Sequence, residues 1–283
     1  MKKIVTVLVG LFLLPHAKVM GQESSDLARD REIIFRLFSN VRVVEGESPG
    51  DLMVRVALFF LNTPYVGGTL EVGDDERLII NLRELDCTTF METCVAVTRT
   101  LLMNRPDFES YCMELQRIRY RNGGINGYVS RLHYTTDWIW DNAAKGVVED
   151  ISKAIGGIPF QVKLSFMSSN TEKYPHLQGQ PERTARIKQI EDQINRRANC
   201  HYIPKWEIAA LQEGIKSGDI IAFTTSIGGM DVSHIGIAYW QDKTLTFVHA
   251  SSAAKKVIVN PESISEYCFG INSNTGIMVV RVK

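Results

Sequence analysis

The spacing of apolar residues divides the chain into a helical first part and a strand-rich last third. Apolar residues recur at helical intervals over 27–38 and 52–61, and Ser48-Pro49 is typical of a helix start. A further helix is predicted from 87 to about 103. Short β-rich runs separated by turn residues follow at 219–225, 234–240, 244–249, 256–259 and 276–282. Helices followed by a run of strands predict an α+β fold with an antiparallel sheet.

Between these parts lies a long middle segment that reads as an insertion. It contains a predicted helix at 108–119, an aromatic segment at 132–140 and a charged helix near 181–197. Ahead of the 87–103 helix, the β-rich residues 70–82 are interrupted by Gly and Asp and predict a hairpin. The expected organisation is one domain over 22–283, with an N-terminal helical layer at about 22–62 and the middle insertion at about 105–205.

The first residues carry a targeting signal. Lys2 and Lys3 precede an apolar run over 4–14, and Gly21 provides a small residue at a cleavage site. The run is too short to span a bilayer as a helix. We therefore predict a signal peptide over 1–21, export across the inner membrane to the periplasm, and no membrane span in the mature chain.

Composition and charge narrow the possible partners. The chain has 32 basic and 32 acidic residues, which are interspersed, so the basic footprint of a nucleic-acid-binding protein is missing. Five cysteines are present, and none of their spacings forms a Cys-x-x-Cys zinc or redox pair. We expect a monomeric globular protein that binds neither nucleic acid nor a metal or other cofactor.

Cys87 is the candidate nucleophile because it stands at the start of a predicted helix. Asp86 precedes it, and the run from Thr89 to Glu92 is typical of a capping box. Free backbone N–H groups and the helix dipole at this end favour the thiolate, which is the reactive form. Cys94 lies two turns deeper on the same apolar stripe and is predicted to be core.

Two histidines on neighbouring strands supply a candidate base and a residue to orient it. His234 shares its strand face with the small residues Gly236 and Ala238, which leaves room for the thiol-bearing helix. A turn at 241–242 would place His249 directly opposite His234, with Cβ atoms about 5 Å apart. Nucleophile, base and orienting group together are typical of covalent catalysis. The alternative is a histidine pair on an exposed hairpin face.

Three blocks of residues resemble the NlpC-type papain-like cysteine hydrolases of the bacterial cell wall. The blocks are Thr63-Pro64-Tyr65 with Gly67-Gly68, then Leu85-Asp86-Cys87-Thr88, then Ser217-Gly218-Asp219 leading into 233–237 and 248–251. The resemblance implies a papain-like fold with a catalytic Cys at the start of a helix packed on an antiparallel sheet. It also implies that Cys87 is the nucleophile, His234 the general base and His249 the third polar residue.

The same resemblance suggests roles for the residues around the thiol. Tyr65 matches an aromatic hydroxyl that lies beside the thiol and helps the Cys87 amide stabilise the oxyanion. The alternative for Tyr65 is a packed loop aromatic. Asp86 and Thr88, on either side of Cys87, are expected to contact substrate.

Two departures from the common pattern resemble one branch of this family, long catalogued as a domain of unknown function. The segment from Tyr65 to Cys87 is longer than usual, and Thr88-Thr89-Phe90 replaces the common Ser-Gly-Leu. In that branch the enzymes are N-acetylmuramoyl-L-alanine amidases acting on muropeptide fragments. Its similarity to residues 131–138 implies a sugar-binding wall, formed by His133, Tyr134, Asp137 and Trp138. The alternative for these four residues is a packed connector.

Other functions remain open at this point. A γ-D-glutamyl-diaminopimelate endopeptidase would use the same triad, so the triad cannot distinguish it from an amidase. A zinc amidase would draw its ligands from Asp231, His234, His249 and His133. A non-catalytic glycan-binding module has no evident need for Cys87 at a helix start.

Overall fold

The structure is a computed structural model that describes residues 24–197 and 200–283. The predicted signal peptide over 1–21 lies outside the described residues. No helix within the described ranges combines the length and apolar character needed to cross a membrane. The helices are α1 (Ser24–Asn40), α2 (Pro49–Phe59), α3 (Cys87–Leu102), α4 (Phe108–Arg119), α5 (Thr135–Ala144), α6 (Phe166–Ser169), α7 (Pro181–Asn195), α8 (Ile208–Leu211) and α9 (Ile264–Gly270).

The strands form an antiparallel sheet in which β4 is central, between β8 and β5. The strands are β1 (Val148–Asp150), β2 (Ile158–Pro159), β3 (His201–Pro204), β4 (Ile220–Thr225), β5 (Val232–Gln241), β6 (Thr244–Ser251), β7 (Lys256–Val259) and β8 (Asn274–Val282). Their order is β2-β3-β8-β4-β5-β6-β7, and β1 also pairs with β8. This arrangement confirms the predicted α+β class with an antiparallel sheet.

Helices cover both faces of this sheet. Phe90 and Cys94 of α3 share one buried core with Ile235 and Ile237 of β5. The opposite face carries a second core, which contains Phe223, Phe247 and the α9 residue Cys268. Because alternate residues of a strand point to opposite faces, His234 belongs to the α9 side. The expectation that α3 approaches the His234 face is therefore wrong, and the small Gly236 on that face instead accommodates the Phe247 ring.

The start of α3 is set by side-chain capping. Asp86 accepts a hydrogen bond from the Thr89 N–H at 2.8 Å, and the Thr89 hydroxyl accepts one from the Asp86 N–H at 2.9 Å. The capping box is thus completed by Thr89 and not by Glu92, which instead forms a buried ion pair with Arg119 at 2.7 Å. Cys94 is fully buried, as predicted.

The predicted hairpin over 70–82 is wrong, since this segment contains no strand. Its alternate apolar residues Leu78, Ile80 and Leu82 do lie in the core, but side chains satisfy several of its backbone polar groups. Asp30 accepts a hydrogen bond from the Leu82 N–H at 2.9 Å, and Arg119 donates to the Ile79 carbonyl at 2.6 Å. An extended loop therefore replaces the second strand that a hairpin would need.

The turn between β5 and β6 also differs from the prediction. Gln241 pairs with Thr244, so the turn residues are Asp242 and Lys243, and Asp242 takes a left-handed φ of 52° that aspartate tolerates. Because Ile237 then lies opposite Val248, His249 lies opposite Gly236 and diagonal to His234. A shift of two residues keeps both histidines on one face.

Candidate active site

One cavity, of about 250 Å³, brings together the start of α3, the middle insertion and the start of β5. The residues around it are Cys87, Thr88, His133, Tyr134, Thr135, Phe166, Met167, Tyr174, Met230, Asp231, Val232, Ser233, His234 and Ile235. Five of the predicted site residues are among them. A larger cavity of about 800 Å³ lies between α1 and the α3–α4 turn, but the described residues that line it include neither Cys nor His.

The Cys87 thiol is half-buried at the first residue of α3. Burial and then the negative charge of Asp86 raise the pKa of this thiol to about 11, although hydrogen bonds to Thr88 and to the Ile235 backbone work to lower it. Desolvation therefore outweighs these hydrogen bonds, and the thiol is protonated at neutral pH. The expectation of a preformed thiolate is corrected accordingly, because the sulfur needs a base to become a nucleophile.

His234 lies in the same cavity and contacts His249. A distance of 2.6 Å separates Nε2 of His234 from Nδ1 of His249, and their ring planes are nearly perpendicular, at 86°. Burial lowers the pKa of His234 to about 4. Burial, followed by the charge of His234, lowers the pKa of His249 to about 3. Both rings are neutral near pH 7, so one donates a hydrogen bond to the other.

A β-bulge directs His234 toward the cavity. Phe223 of β4 pairs with His234, whereas the next residue, Thr224, pairs with Val232, so Ser233 is the extra residue. Bulges bend a strand and redirect side chains, and they are frequent beside active sites. The bulge lies one residue before His234, at the end of β5 that meets the cavity.

Tyr267 is a site residue that the sequence analysis missed. Its ring on α9 lies 6.0 Å from the His234 ring and 5.8 Å from the His249 ring, measured between centroids. Burial, and then the charge of Cys87, raise the pKa of Tyr267 to about 12. The capping box from Ser263 to Glu266 could have indicated α9 in the sequence, but no local pattern places that helix under the histidines.

Tyr65 lies near Cys87 but outside the cavity lining. Its N–H donates to the Lys255 carbonyl at 2.9 Å, and the Pro64 carbonyl accepts from the Leu85 N–H at 2.9 Å, which holds this loop beside the start of α3. Burial raises the pKa of Tyr65, and the charges of Cys87 and Asp86 raise it further. The phenol therefore lies within electrostatic range of the thiol.

The middle insertion contributes His133 and Tyr134 to the cavity wall. Nε2 of His133 donates to the Tyr128 carbonyl at 2.9 Å, and burial followed by the charge of Arg131 lowers the pKa of His133 to about 3. The Tyr134 hydroxyl donates to Glu191 at 2.7 Å and accepts from the Met167 N–H at 2.9 Å. These hydrogen bonds occupy polar atoms of His133 and Tyr134. The surface that the two residues present to the cavity is therefore mainly that of their rings.

Three predicted substrate-binding residues lie outside the cavity lining. Trp138 is 2% exposed and lies in the core, while Asp137 is 1% exposed and forms ion pairs with Arg121 and Arg197. Only the first turn of α5 faces the cavity, and the helix then carries both side chains inward. Asp137 and Trp138 are therefore part of a packed connector, which is the alternative given in the sequence analysis. Asp86 likewise uses its carboxylate to cap α3 and acts on the site through its charge.

Three of the four residues considered as zinc ligands line the same cavity, but their polar atoms are used in other contacts. Asp231 accepts hydrogen bonds from the N–H and hydroxyl of Thr136, at 2.7 and 2.8 Å, which joins α5 to the start of β5. His133 is committed to a backbone carbonyl, and the other two histidines contact each other. Within 24–197 and 200–283, no group of three His, Cys, Asp or Glu side chains is arranged to hold a metal ion.

The fold and the residues around the cavity can be compared with those of known protein families. The model of the AmiA-like family, described as N-acetylmuramoyl-L-alanine amidase-like, matches residues 55–277. The match covers more than half of the chain, which therefore belongs to this family. No curated protein matches the chain.

Several solved structures are similar to the chain over most of its length. An N-acetylmuramoyl-L-alanine amidase from Bacteroides uniformis is 40% identical, with a TM-score of 0.80, over 83% of this chain and 99% of that chain. A Bacteroides fragilis protein, described provisionally as a xylanase, is 41% identical, with a TM-score of 0.74, over 80% and 99%. A Legionella pneumophila protein is 22% identical, with a TM-score of 0.69, over 92% and 95%, which shows the fold alone.

Proposed function

We propose that this amidase is a papain-like, NlpC-type cysteine enzyme that cleaves the amide between the lactyl group of a muramyl residue and L-alanine. The observation that carries the proposal is the cavity shared by Cys87 and His234, with His249 in contact with His234 at 2.6 Å. Family membership supports the amidase chemistry. A nucleophile, a base and a third group that orients the base are the parts that acyl transfer needs.

The pKa directions define the first step of the proposed reaction. The Cys87 thiol is protonated and His234 is neutral at pH 7, so the imidazole takes the thiol proton as sulfur attacks the lactyl carbonyl carbon. The C–S bond forms and the carbonyl oxygen becomes an oxyanion. The Cys87 N–H, which is free at the first residue of α3, and the Tyr65 hydroxyl are the donors proposed for that oxygen.

The second half of the reaction returns the enzyme to its starting state. As the C–N bond breaks, protonated His234 gives its proton to the leaving amino group of L-alanine. A muramyl thioester then remains on Cys87. Water, deprotonated by neutral His234, attacks the thioester carbon. The C–S bond then breaks, the muramyl lactyl carboxylic acid is released, and protonated His234 returns its proton to the Cys87 sulfur.

The composition of the wall supports a sugar on the acyl side. His133, Tyr134, Phe166 and Tyr174 bring ring surfaces of the middle insertion to the cavity that contains the thiol. Aromatic faces combined with a few polar groups are suited to binding pyranose rings. An endopeptidase would place peptide on both sides of the thiol and would have no use for such a wall.

We also propose that the protein acts as a monomer on muramyl peptides in the periplasm, after removal of residues 1–21. The basic residues and short apolar run at the start of the sequence support export. Sequencing the N-terminus of the protein recovered from the periplasm tests this: Gln22 is expected, and an intact Met1 in the cytoplasm would contradict it.

Defined muropeptides test the reaction. The mature protein should release intact peptide and free sugar from a muramyl-L-alanyl peptide, identified by mass spectrometry, and Cys87→Ala should release neither. Release of an L-Ala-γ-D-Glu dipeptide from a sugar-free stem peptide, with muramyl peptides uncut, would identify an endopeptidase. Loss of activity with a chelator, combined with insensitivity to thiol alkylation, would identify a metal amidase.

A further inference from the structure

The contact between the two histidines leaves one ring nitrogen without a partner. Nδ1 of His249 meets His234, but Nε2 of His249 is buried and, among the described residues, has no hydrogen-bond partner of ordinary geometry. The side chain is only 2% exposed, which excludes bulk water as a partner. Buried polar atoms are nearly always hydrogen-bonded, so this nitrogen needs an explanation.

Asn260 is placed to supply the missing partner. Its N–H donates to the Phe247 carbonyl at 2.8 Å, which extends the β6–β7 pairing one residue beyond Val248 and Val259. Asn260 therefore lies opposite Phe247 and is a diagonal neighbour of His249 on the same face of the sheet. It is 6% exposed, so its side chain is also buried.

The Asn260 amide is anchored through its nitrogen to the turn that contains Glu262. Nδ2 donates to the Glu262 carbonyl at 3.0 Å, so Oδ1 is turned to the other side of the amide. Burial lowers the pKa of His249, but the neighbouring Asn260 side chain works to raise it, which is the direction expected when an amide oxygen is turned toward the ring.

We propose that Asn260 is a positioning residue that sets the tautomers of both histidines. Its Oδ1 accepts from Nε2–H of His249, which leaves Nδ1 of His249 without a proton. That nitrogen must then accept from Nε2–H of His234. Nδ1 of His234 is consequently the unprotonated nitrogen and is free to take the proton of Cys87. The inference rests on the proposed thiol mechanism. It adds that Nδ1 of His234 is the nitrogen that accepts the thiol proton, and that Asn260 keeps this nitrogen unprotonated.

Loss of the Asn260 acceptor permits an unproductive arrangement. His249 can then carry its proton on Nδ1 and donate to His234, whose own proton moves to Nδ1. In that tautomer His234 presents an N–H to the thiol and cannot act as its base. Because this change reaches the base only through His249, it should lower kcat on the order of 10- to 100-fold. KM should change little, because Asn260 does not contact substrate.

Nitrogen-15 labelling of the histidines in the full mature chain reads the tautomers directly by NMR. The wild type should carry its protons on Nε2 of both rings at pH 7. Asn260→Ala should shift His249 toward the Nδ1–H form and lower kcat as above. Thr246→Ser is the matched control, because it removes a buried methyl group in this turn but keeps the hydroxyl that bonds the backbone carbonyls of Asn260 and Glu262. It should change neither the tautomers nor kcat.

Asn260→Asp separates positioning from packing. It loses the Nδ2 donor but keeps an acceptor for His249, so it should preserve the Nε2–H tautomer and most of kcat. Its negative charge should move the acid limb of the kcat profile to higher pH. Other titratable groups near the pair include Tyr267 from α9, Cys87 from α3, and Glu262 and Cys268, whose charges reach Tyr267. Wild-type tautomers and kcat in Asn260→Ala, or loss of the tautomer in folded Asn260→Asp, would overturn the inference. Full turnover by Cys87→Ala would instead overturn the proposed function.

Discussion

Trp138→Ala distinguishes a sugar-binding wall from a packed connector in the middle insertion. The indole is 2% exposed and lies in the main core, on α5, whose first turn alone faces the cavity. The substitution should therefore act on stability and not on substrate binding. Truncating a fully buried Trp removes its transfer free energy and leaves a cavity, so we expect a loss of about 3–5 kcal/mol in the free energy of unfolding.

Trp138→Phe is the matched control, and the structure predicts its effect separately. The indole Nε1 is buried without a hydrogen-bond partner among the described residues. Phenylalanine removes this N–H, whose burial without a partner costs about 1–3 kcal/mol, but it also loses some packing volume. The two effects oppose each other, so Trp138→Phe should lose less than about 1.5 kcal/mol.

Urea unfolding followed by far-UV circular dichroism measures both variants, and assays well below the unfolding midpoint measure kcat/KM on a muramyl-L-alanyl peptide. We expect kcat/KM within about twofold of the wild type for each folded variant. Wild-type stability of Trp138→Ala, together with a raised KM for sugar-bearing substrate alone, would show that the indole reaches substrate and that the core assignment is wrong.

Further predictions concern the histidines and the buried cysteine. His249→Ala should lower kcat but leave more activity than His234→Ala, and the double variant should be strongly non-additive; additive losses would mean that the rings act independently. As the pH is lowered, kcat should persist until His234 becomes protonated at about pH 4. A fall in kcat centred near pH 6.5 would contradict the conclusion that burial lowers the pKa of His234. Because burial depresses both folded-state histidine pKa values below 6.5, the unfolded chain binds more protons below that pH, and the free energy of unfolding should fall between about pH 6.5 and 4. Cys94→Ser buries a hydroxyl in an apolar core and should lower stability with little effect on kcat; loss of turnover in a stable Cys94→Ser would refute the assignment of Cys94 to the core.

The sequence predicts those elements whose signal is local. The start of α3 follows from Asp86 and its capping pattern, and the run of strands follows from β-rich segments between turn residues. The 70–82 loop was misassigned because its apolar alternation is the same whether a strand or the Asp30 and Arg119 side chains satisfy its backbone. The strand register was misassigned because a shift of two residues leaves the face pattern unchanged.

Those residues of the site that have a local sequence signal are predictable as well. Cys87 and His234 are placed by local patterns, and they share the cavity. Trp138 was misassigned because aromatic residues look alike in sequence whether they line a cavity or fill a core. Tyr267 and Asn260 depend on how α9 and the end of β7 pack against the histidines, which no neighbouring residue encodes.

The thioester is the most direct test of the central claim. Mature protein mixed with a muramyl-L-alanyl peptide and quenched with acid during turnover should gain the mass of the muramyl acyl group, and peptide mapping should locate it on Cys87. Alkylation of Cys87 beforehand should abolish the adduct. Turnover at the wild-type rate by Cys87→Ala, with no acyl adduct on any cysteine of the wild type, would contradict thiol catalysis.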